Sequence, residues 1–133
     1  MWQTTSKSNA KDRVLLVDDE PDIVYLVKRE LERNDFEVDA YLDPITALQN
    51  FKSGLYQLLL LDIKMPEMDG IELFNRIEKE DSKAKVCFFS ASEHLASVYK
   101  ELFKNSPDRF FLISKPISVS QMTKQIKHFL NRS

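Results

Sequence analysis

LLLLDIKMPEMDG, Leu58 to Gly70, sets four leucines directly against an aspartate, with Pro66 and Gly70 just beyond. A run that short and that apolar belongs inside a protein, so an acid at its edge is either misplaced or in use. Four more short runs rich in Val, Leu and Phe share its character. Together they read as strands at Arg13–Val17, Phe36–Tyr41, Gln57–Leu61, Lys85–Ser90 and Arg109–Ile113. Between them, apolar residues recur at helical intervals. Helices are expected over Pro21–Arg33 (Val24, Val27, Leu31), Pro44–Ser53 (Ile45, Leu48, Phe51), Gly70–Lys79 (Ile71, Phe74, Ile77), Glu93–Asn105 and Ser118–Asn131 (Val119, Met122, Ile126, Phe129, Leu130).

The punctuation fits. Asp43 before Pro44 has the form of an N-cap followed by proline at the first helical position. Ser118 with Gln121 has the spacing of a capping box. Gly54 stands where a C-terminal glycine cap is expected, and Asn34 is expected to close the first helix in a left-handed conformation. Five successive βα units imply an α/β fold, a parallel sheet with helices on both faces, doubly wound by right-handed crossovers. Strands buried on both faces carry continuous apolar runs, which accounts for the leucines.

Ligands of such sheets bind beyond the carboxyl ends of the strands. The first strand ends in Asp18, Asp19 and Glu20, the third in Asp62, the fourth in Ser90, Ala91 and Ser92, the fifth in Ser114, Lys115 and Pro116. Clustered carboxylates oppose one another's ionisation, and a divalent cation relieves that conflict. With no His or Cys cluster nearby, a hard cation held by oxygen, Mg2+, fits. Mg2+ takes few carboxylates and favours phosphate oxygens, so the site invites a phosphoryl group. Asp62 is a candidate carboxylate nucleophile, with Lys115 and the Ser90 hydroxyl placed to hold phosphoryl oxygens.

The stretches VLLVDDEPDI, LLLLDIKMPEMDGIEL, FFSAS and ISKPI, in this order and spacing, resemble the response-regulator receiver domains of two-component signalling, over roughly Arg13 to Asn131. The resemblance implies a flavodoxin-like (βα)5 fold with strand order 2-1-3-4-5. It implies Asp62 as phosphoacceptor, Ser90 as switch hydroxyl and Lys115 as its phosphoryl-pairing partner. It further implies Mg2+ held by Asp18, Asp19, Asp62 and the backbone carbonyl of Lys64, with Asp19 binding directly and Asp18 acting mainly through a water or as its partner. Pro116 is expected to follow a cis peptide bond. The implied donor is a sensor histidine kinase or a histidine phosphotransfer protein, and output passes to a partner. Ile23, Leu26 and Pro116 are candidate docking residues for that donor. The chain is expected to be a signalling domain rather than an enzyme. The competing readings are a Mg2+-dependent phosphohydrolase with an aspartyl nucleophile, disfavoured by Lys64 where such enzymes carry a second acid, and a receiver that works without phosphorylation.

The chain departs from the family pattern in three respects. Leu112 replaces the usual aromatic residue three before the lysine. The segment from Lys104 to Arg109 lacks the usual Gly-Ala turn. Lys64 and Ser92 stand two residues after Asp62 and Ser90, where side chains line the path of hydrolytic water.

The bulk properties are compatible with all this. The chain has 133 residues, 43% hydrophobic and 30% charged, with 19 basic and 21 acidic side chains and a net charge of −2. One domain over residues 13–131 is expected, after a flexible polar tail over residues 1–12. The near-neutral charge speaks against nucleic-acid binding. A single cysteine, Cys87, excludes an internal disulfide and reads as inert core. No run approaches membrane-spanning length, and a cytoplasmic location is expected. His94, His128, Trp2 and the lysines at 100, 104, 124 and 127 are expected to be surface or tail residues without a role.

Overall fold

Residues 11–96 and 108–131 are described by a computed structural model of the chain. The strands are β1 (Arg13–Val17), β2 (Glu37–Tyr41), β3 (Leu58–Leu61), β4 (Lys85–Ala91) and β5 (Phe110–Lys115). The helices are α1 (Pro21–Arg33), α2 (Pro44–Asn50), α3 (Gly70–Glu78), α4, whose described part covers residues 92–96, and α5 (Val119–Leu130). The rest of the helix expected over Glu93–Asn105, most of the Lys104–Arg109 segment and the first ten residues of the expected tail lie outside the described residues.

All five strands pair in parallel, in the order β2-β1-β3-β4-β5. β3 is central, and its four leucines have no exposed surface. Side chains alternate across a strand, so the run divides between two cores. Leu59 and Leu61 pack with Leu15, Val17, Val86 and Phe88 against Ala47 of α2 and Leu73, Phe74 and Ile77 of α3. Leu58 and Leu60 pack with Val14, Leu16, Cys87 and Phe89 against Val24, Val27 and Leu31 of α1 and Met122, Ile126 and Phe129 of α5. Each buried leucine stabilises the fold by roughly 1.5–3 kcal/mol. Complete burial pushes the Cys87 thiol pKa far up, which makes it inert.

The helix starts behave as expected. Asp43 Oδ1 accepts from the Thr46 N–H at 2.8 Å, and Ser118 Oγ from the Gln121 N–H at 3.1 Å. The ends differ. α2 stops at Asn50, because Phe51 turns extended (φ −67°, ψ 138°) and stacks its buried ring on Tyr56 at 5.8 Å. Gly54 is left-handed (φ +81°), but it serves the turn closed by the Leu55 N–H on the Lys52 carbonyl rather than the helix end. After α1 the left-handed residue is Asp35 (φ +70°), not Asn34 (φ −109°). The Asn34 amide instead donates to the Glu30 carbonyl at 2.9 Å, while its oxygen accepts from Lys127 of α5 at 2.8 Å.

At the amino ends of the strands Asp81 is buried and satisfied. Burial pulls its pKa upward, but bonds from the Gly54, Lys83 and Ala84 N–H groups hold the carboxyl below its ordinary range. This pole is a structural clamp between the β3 and β4 approaches.

Candidate functional site

The carboxyl ends of β1 and β3 are locked together by backbone. The Asp62 N–H donates to the Val17 carbonyl at 3.0 Å, and the Asp18 N–H to the Tyr41 carbonyl at 3.2 Å. Asp18 and Asp62 therefore leave adjacent strands side by side, and both are buried. Ser90, next to the end of β4, donates its hydroxyl to Asp62 Oδ1 at 2.6 Å. Lys115 ends β5. Its ammonium donates to Asp18 Oδ2 and Glu20 Oε1, both at 2.8 Å, and lies 3.6 Å from Asp62 Oδ2. The same ammonium stands 5.0 Å from the centre of the Phe89 ring. The Lys115–Pro116 peptide bond is cis.

Four of the residues expected from the sequence thus converge: Asp18, Asp62, Ser90 and Lys115. A fifth group was not anticipated. The carboxylates of Asp18, Glu20 and Asp62 lie within 4.8 Å of one another, a set able to ligate a metal ion. Asp19, half-buried, is outside that set. The physical reason is a bend at Asp19. The Glu20 N–H donates to Asp18 Oδ1 at 3.0 Å, closing a turn that returns the Glu20 side chain to the lysine its neighbour holds. The available signal was the third acid of the DDE run.

Three carboxylates facing one ammonium leave an excess of negative charge. Burial raises the Asp18 pKa from 3.8 to about 6, helped by the nearby Asp62 charge and opposed by its bonds from Lys115 and the Glu20 N–H. For Lys115, burial disfavours the charge, but the bonds to Asp18 and Glu20 and the field of Asp62 raise its pKa overall. The pair is unequal: the ammonium is well served, whereas the buried Asp18 carboxylate is under-compensated. A divalent cation, bound by oxygen, suits this donor set.

The loop after β3 shapes the floor. Met65 and Met68 are buried, and the Gly70 N–H donates to the Ile63 carbonyl at 2.8 Å. Asp69, not singled out from the sequence despite the D-x-x-E spacing, caps α3 by accepting from the Glu72 N–H at 2.8 Å. Glu67 is left-handed at φ +71°. Glu67→Gly removes that steric cost at the expense of some chain entropy. We expect a gain of about 0.5–1 kcal/mol, read as a higher urea midpoint at unchanged m-value.

The remaining positions fall as follows. Lys64, Ser92 and Pro116 are exposed, as is Leu26, and Ile23 is half-buried. Leu112 pairs in register with Phe88 and packs on the margin of the α2–α3 core. Phe110 belongs to that core and Phe111 to the margin of the other, so neither ring takes the Leu112 position. His128 is exposed.

Residues 14–127 match the family of response regulator receiver domains. The chain belongs to this family. It is 30% identical over 118 residues to the response regulator receiver protein CpdR of Brucella abortus, covering 89% of this chain and 96% of that one. It is 31% identical over 121 residues to the transcriptional regulatory protein TrcR of Mycobacterium tuberculosis, covering 91% of this chain and 46% of that one. The chain spans about half the length of several of the curated relatives it matches, TrcR and TctD of Salmonella typhimurium among them. Among solved structures it resembles the response regulator TrrA of Thermotoga maritima in complex with Mg2+-BeF. The TM-score is 0.73 at 31% identity, over 89% of this chain and 98% of that one. The non-phosphorylated HemR receiver domain of Leptospira biflexa shares the fold with a TM-score of 0.81 at 20% identity, over 92% and 97% of the two chains. The receiver's β2-β1-β3-β4-β5 sheet is the arrangement the sequence implied. Receivers bind Mg2+ at their acidic pocket, and Asp18, Glu20 and Asp62 form such a pocket here. Among the described residues, no helix is long and apolar enough to cross a membrane.

Proposed function

We propose that Asp62 is the phosphoacceptor of this receiver, taking a phosphoryl group from a phosphohistidine on a sensor kinase or phosphotransfer protein. The observation that carries the proposal is the convergence of Ser90 and Lys115 on the two Asp62 oxygens, at 2.6 and 3.6 Å. An Asp62 carboxylate oxygen attacks phosphorus in line with the leaving nitrogen. The new P–O bond gives an aspartyl phosphate; the P–N electron pair returns to the imidazole, which ends neutral after proton adjustment. Lys115 and Ser90 donate to phosphoryl oxygens, and the Asp62 N–H bond to the Val17 carbonyl fixes the backbone that carries the carboxylate. Positioning and charge neutralisation are most of what this chemistry needs.

Mg2+, when bound, neutralises phosphoryl charge. Asp18 and Asp62 would hold it, Glu20 is in reach, and the resemblance adds Asp19 and the Lys64 carbonyl. With Ser90 and Lys115 drawn to the phosphoryl group, the equilibrium between two conformations shifts, and a partner reads the result. Ile23 and Leu26 on α1 with Pro116 after β5 are the proposed donor-docking residues: α1 begins directly after the Asp18–Glu20 acids, Pro116 follows Lys115, and Leu26 is 46% exposed. We place the domain at residues 13–131 and its action in the cytoplasm.

The test is intact mass after incubation with acetyl phosphate and Mg2+. One phosphoryl group should be gained by the wild type and none by Asp62→Ala. An unchanged wild-type mass, with a histidine kinase as donor as well, overturns the proposal. Sustained phosphate release from many esters would instead mark a hydrolase.

A further inference from the structure

Lys115 makes two hydrogen bonds of equal length to two very different partners. Asp18 is buried, its side chain 1% exposed, whereas the Glu20 side chain is 58% exposed. Neither bond is to Asp62, which the ammonium approaches only to 3.6 Å. Glu20 is also the N-cap residue of α1, yet its side chain makes no capping bond. Its carboxylate is committed to the lysine, and its own N–H braces Asp18, so one residue holds both members of the pair.

A phosphoryl group on Asp62 needs a donor from this ammonium, so Lys115 must loosen its hold on one of its present partners. The choice is decided by desolvation. Releasing Asp18 would leave a buried carboxylate with only the Glu20 N–H and its share of a bound Mg2+, the costlier loss of the two. Releasing Glu20 returns an exposed carboxylate to water, which exposed ion pairs permit at small cost. We propose that Glu20 is a positioning residue, the releasable partner that holds Lys115 off Asp62 at rest and gives it up when the phosphoryl group arrives. The inference rests on the assignment of Asp62 as phosphoacceptor and adds what sets the resting place of Lys115.

Removing the hold should favour the phosphorylated arrangement. With acetyl phosphate and saturating Mg2+ at low salt, Glu20→Gln is expected to be phosphorylated about two- to fivefold faster than wild type, the range an exposed ion pair supports. Raising KCl should narrow that ratio, because screening weakens the wild-type pair and has none to weaken in the variant. Glu20→Asp, which keeps the charge, should stay nearer wild type. Asp22→Asn, which removes one charge from the first turn of α1 without a bond to Lys115, controls for simple attraction of the anionic donor and should match wild type. A second readout is independent of turnover: the Lys115 Nζ resonance, in the absence of donor, should shift and exchange faster with solvent in Glu20→Gln. Equal rates in wild type and Glu20→Gln, or an equal gain in Asp22→Asn, overturn the proposal. So does slower phosphorylation with weakened Mg2+ binding by NMR titration, which would make Glu20 a metal ligand. A wild type that accepts no phosphoryl group overturns the Asp62 assignment and this inference with it, whereas a phosphorylated wild type without the Glu20→Gln gain overturns this inference alone.

Discussion

Gly70→Ala is expected to lose about 3 kcal/mol of stability and to slow phosphorylation of the surviving folded protein at least about tenfold. A Cβ on Gly70 would stand 2.1 Å from the Asp62 carbonyl oxygen, 3.0 Å from its carbon and 3.1 Å from the Ile63 Cα. Every one of these neighbours is backbone, so no side chain can swing aside. Either the loop between β3 and α3 opens, breaking the Gly70–Ile63 hydrogen bond, or the Asp62 main chain moves. In the second case the Asp62 carboxylate shifts away from Ser90 and Lys115, which are held by β4 and β5. Urea unfolding measures the first effect and the rate of the acetyl phosphate reaction the second. Gly54→Ala is the matched comparison: nothing lies within 4 Å of its Cβ, but φ is +81°. Its expected loss is about 1 kcal/mol of backbone strain, with phosphorylation at the wild-type rate. If Gly70→Ala proved as mild as Gly54→Ala, the close packing of α3 on the phosphoacceptor would be wrong.

The contrast shows what the sequence could convey. Leu58 to Leu61 announce a strand buried on both faces because hydrophobic burial is a property of residue type and order. Asp18, Asp62, Ser90 and Lys115 were legible for a related reason: each stands at or beside the carboxyl end of a strand, and a parallel sheet gathers all such ends at one edge. Glu20 was not assigned a role, because its partner is set by a bend at Asp19 that no periodicity encodes. Asn34 and Asp35 illustrate the same limit at a helix end. Either residue type tolerates a left-handed conformation, and the partners Asn34 takes, the Glu30 carbonyl and the distant Lys127, are not written in the local sequence. Gly70 could be read as shaping a loop, but its contact with the Asp62 carbonyl exists only once α3 has docked. Phe51 kept the core position its spacing gave it while leaving the helix, with its ring stacked on Tyr56 from extended backbone.

Asp18→Asn is expected to make the metal-free protein more stable at neutral pH while removing most of the stabilisation by Mg2+. Folded Asp18 binds its proton with a pKa of about 6, against an ordinary 3.8, chiefly because it is buried. Between these values the folded state retains a proton that the unfolded chain has released. Stability therefore falls as pH rises from about 4 through 6, and the penalty is complete above that window. The shift sets an upper bound of about 3 kcal/mol. Local relaxation and water penetration reduce the expected gain of the variant to about 1–2 kcal/mol at pH 7.5. An Asn side-chain oxygen can still accept from Lys115, so the hydrogen bond does not have to be lost with the charge. In EDTA the melting temperatures of the two proteins should converge near pH 4 and separate towards pH 7.5, the variant higher. Added Mg2+ reverses the order, because ligand binding stabilises the wild type by RT ln(1 + [Mg2+]/Kd) and the variant lacks one buried carboxylate. A wild type at least as stable as Asp18→Asn in EDTA at pH 7.5 would mean that Lys115 and Glu20 already compensate the acidic pocket, and that relief of charge repulsion does not drive metal binding there.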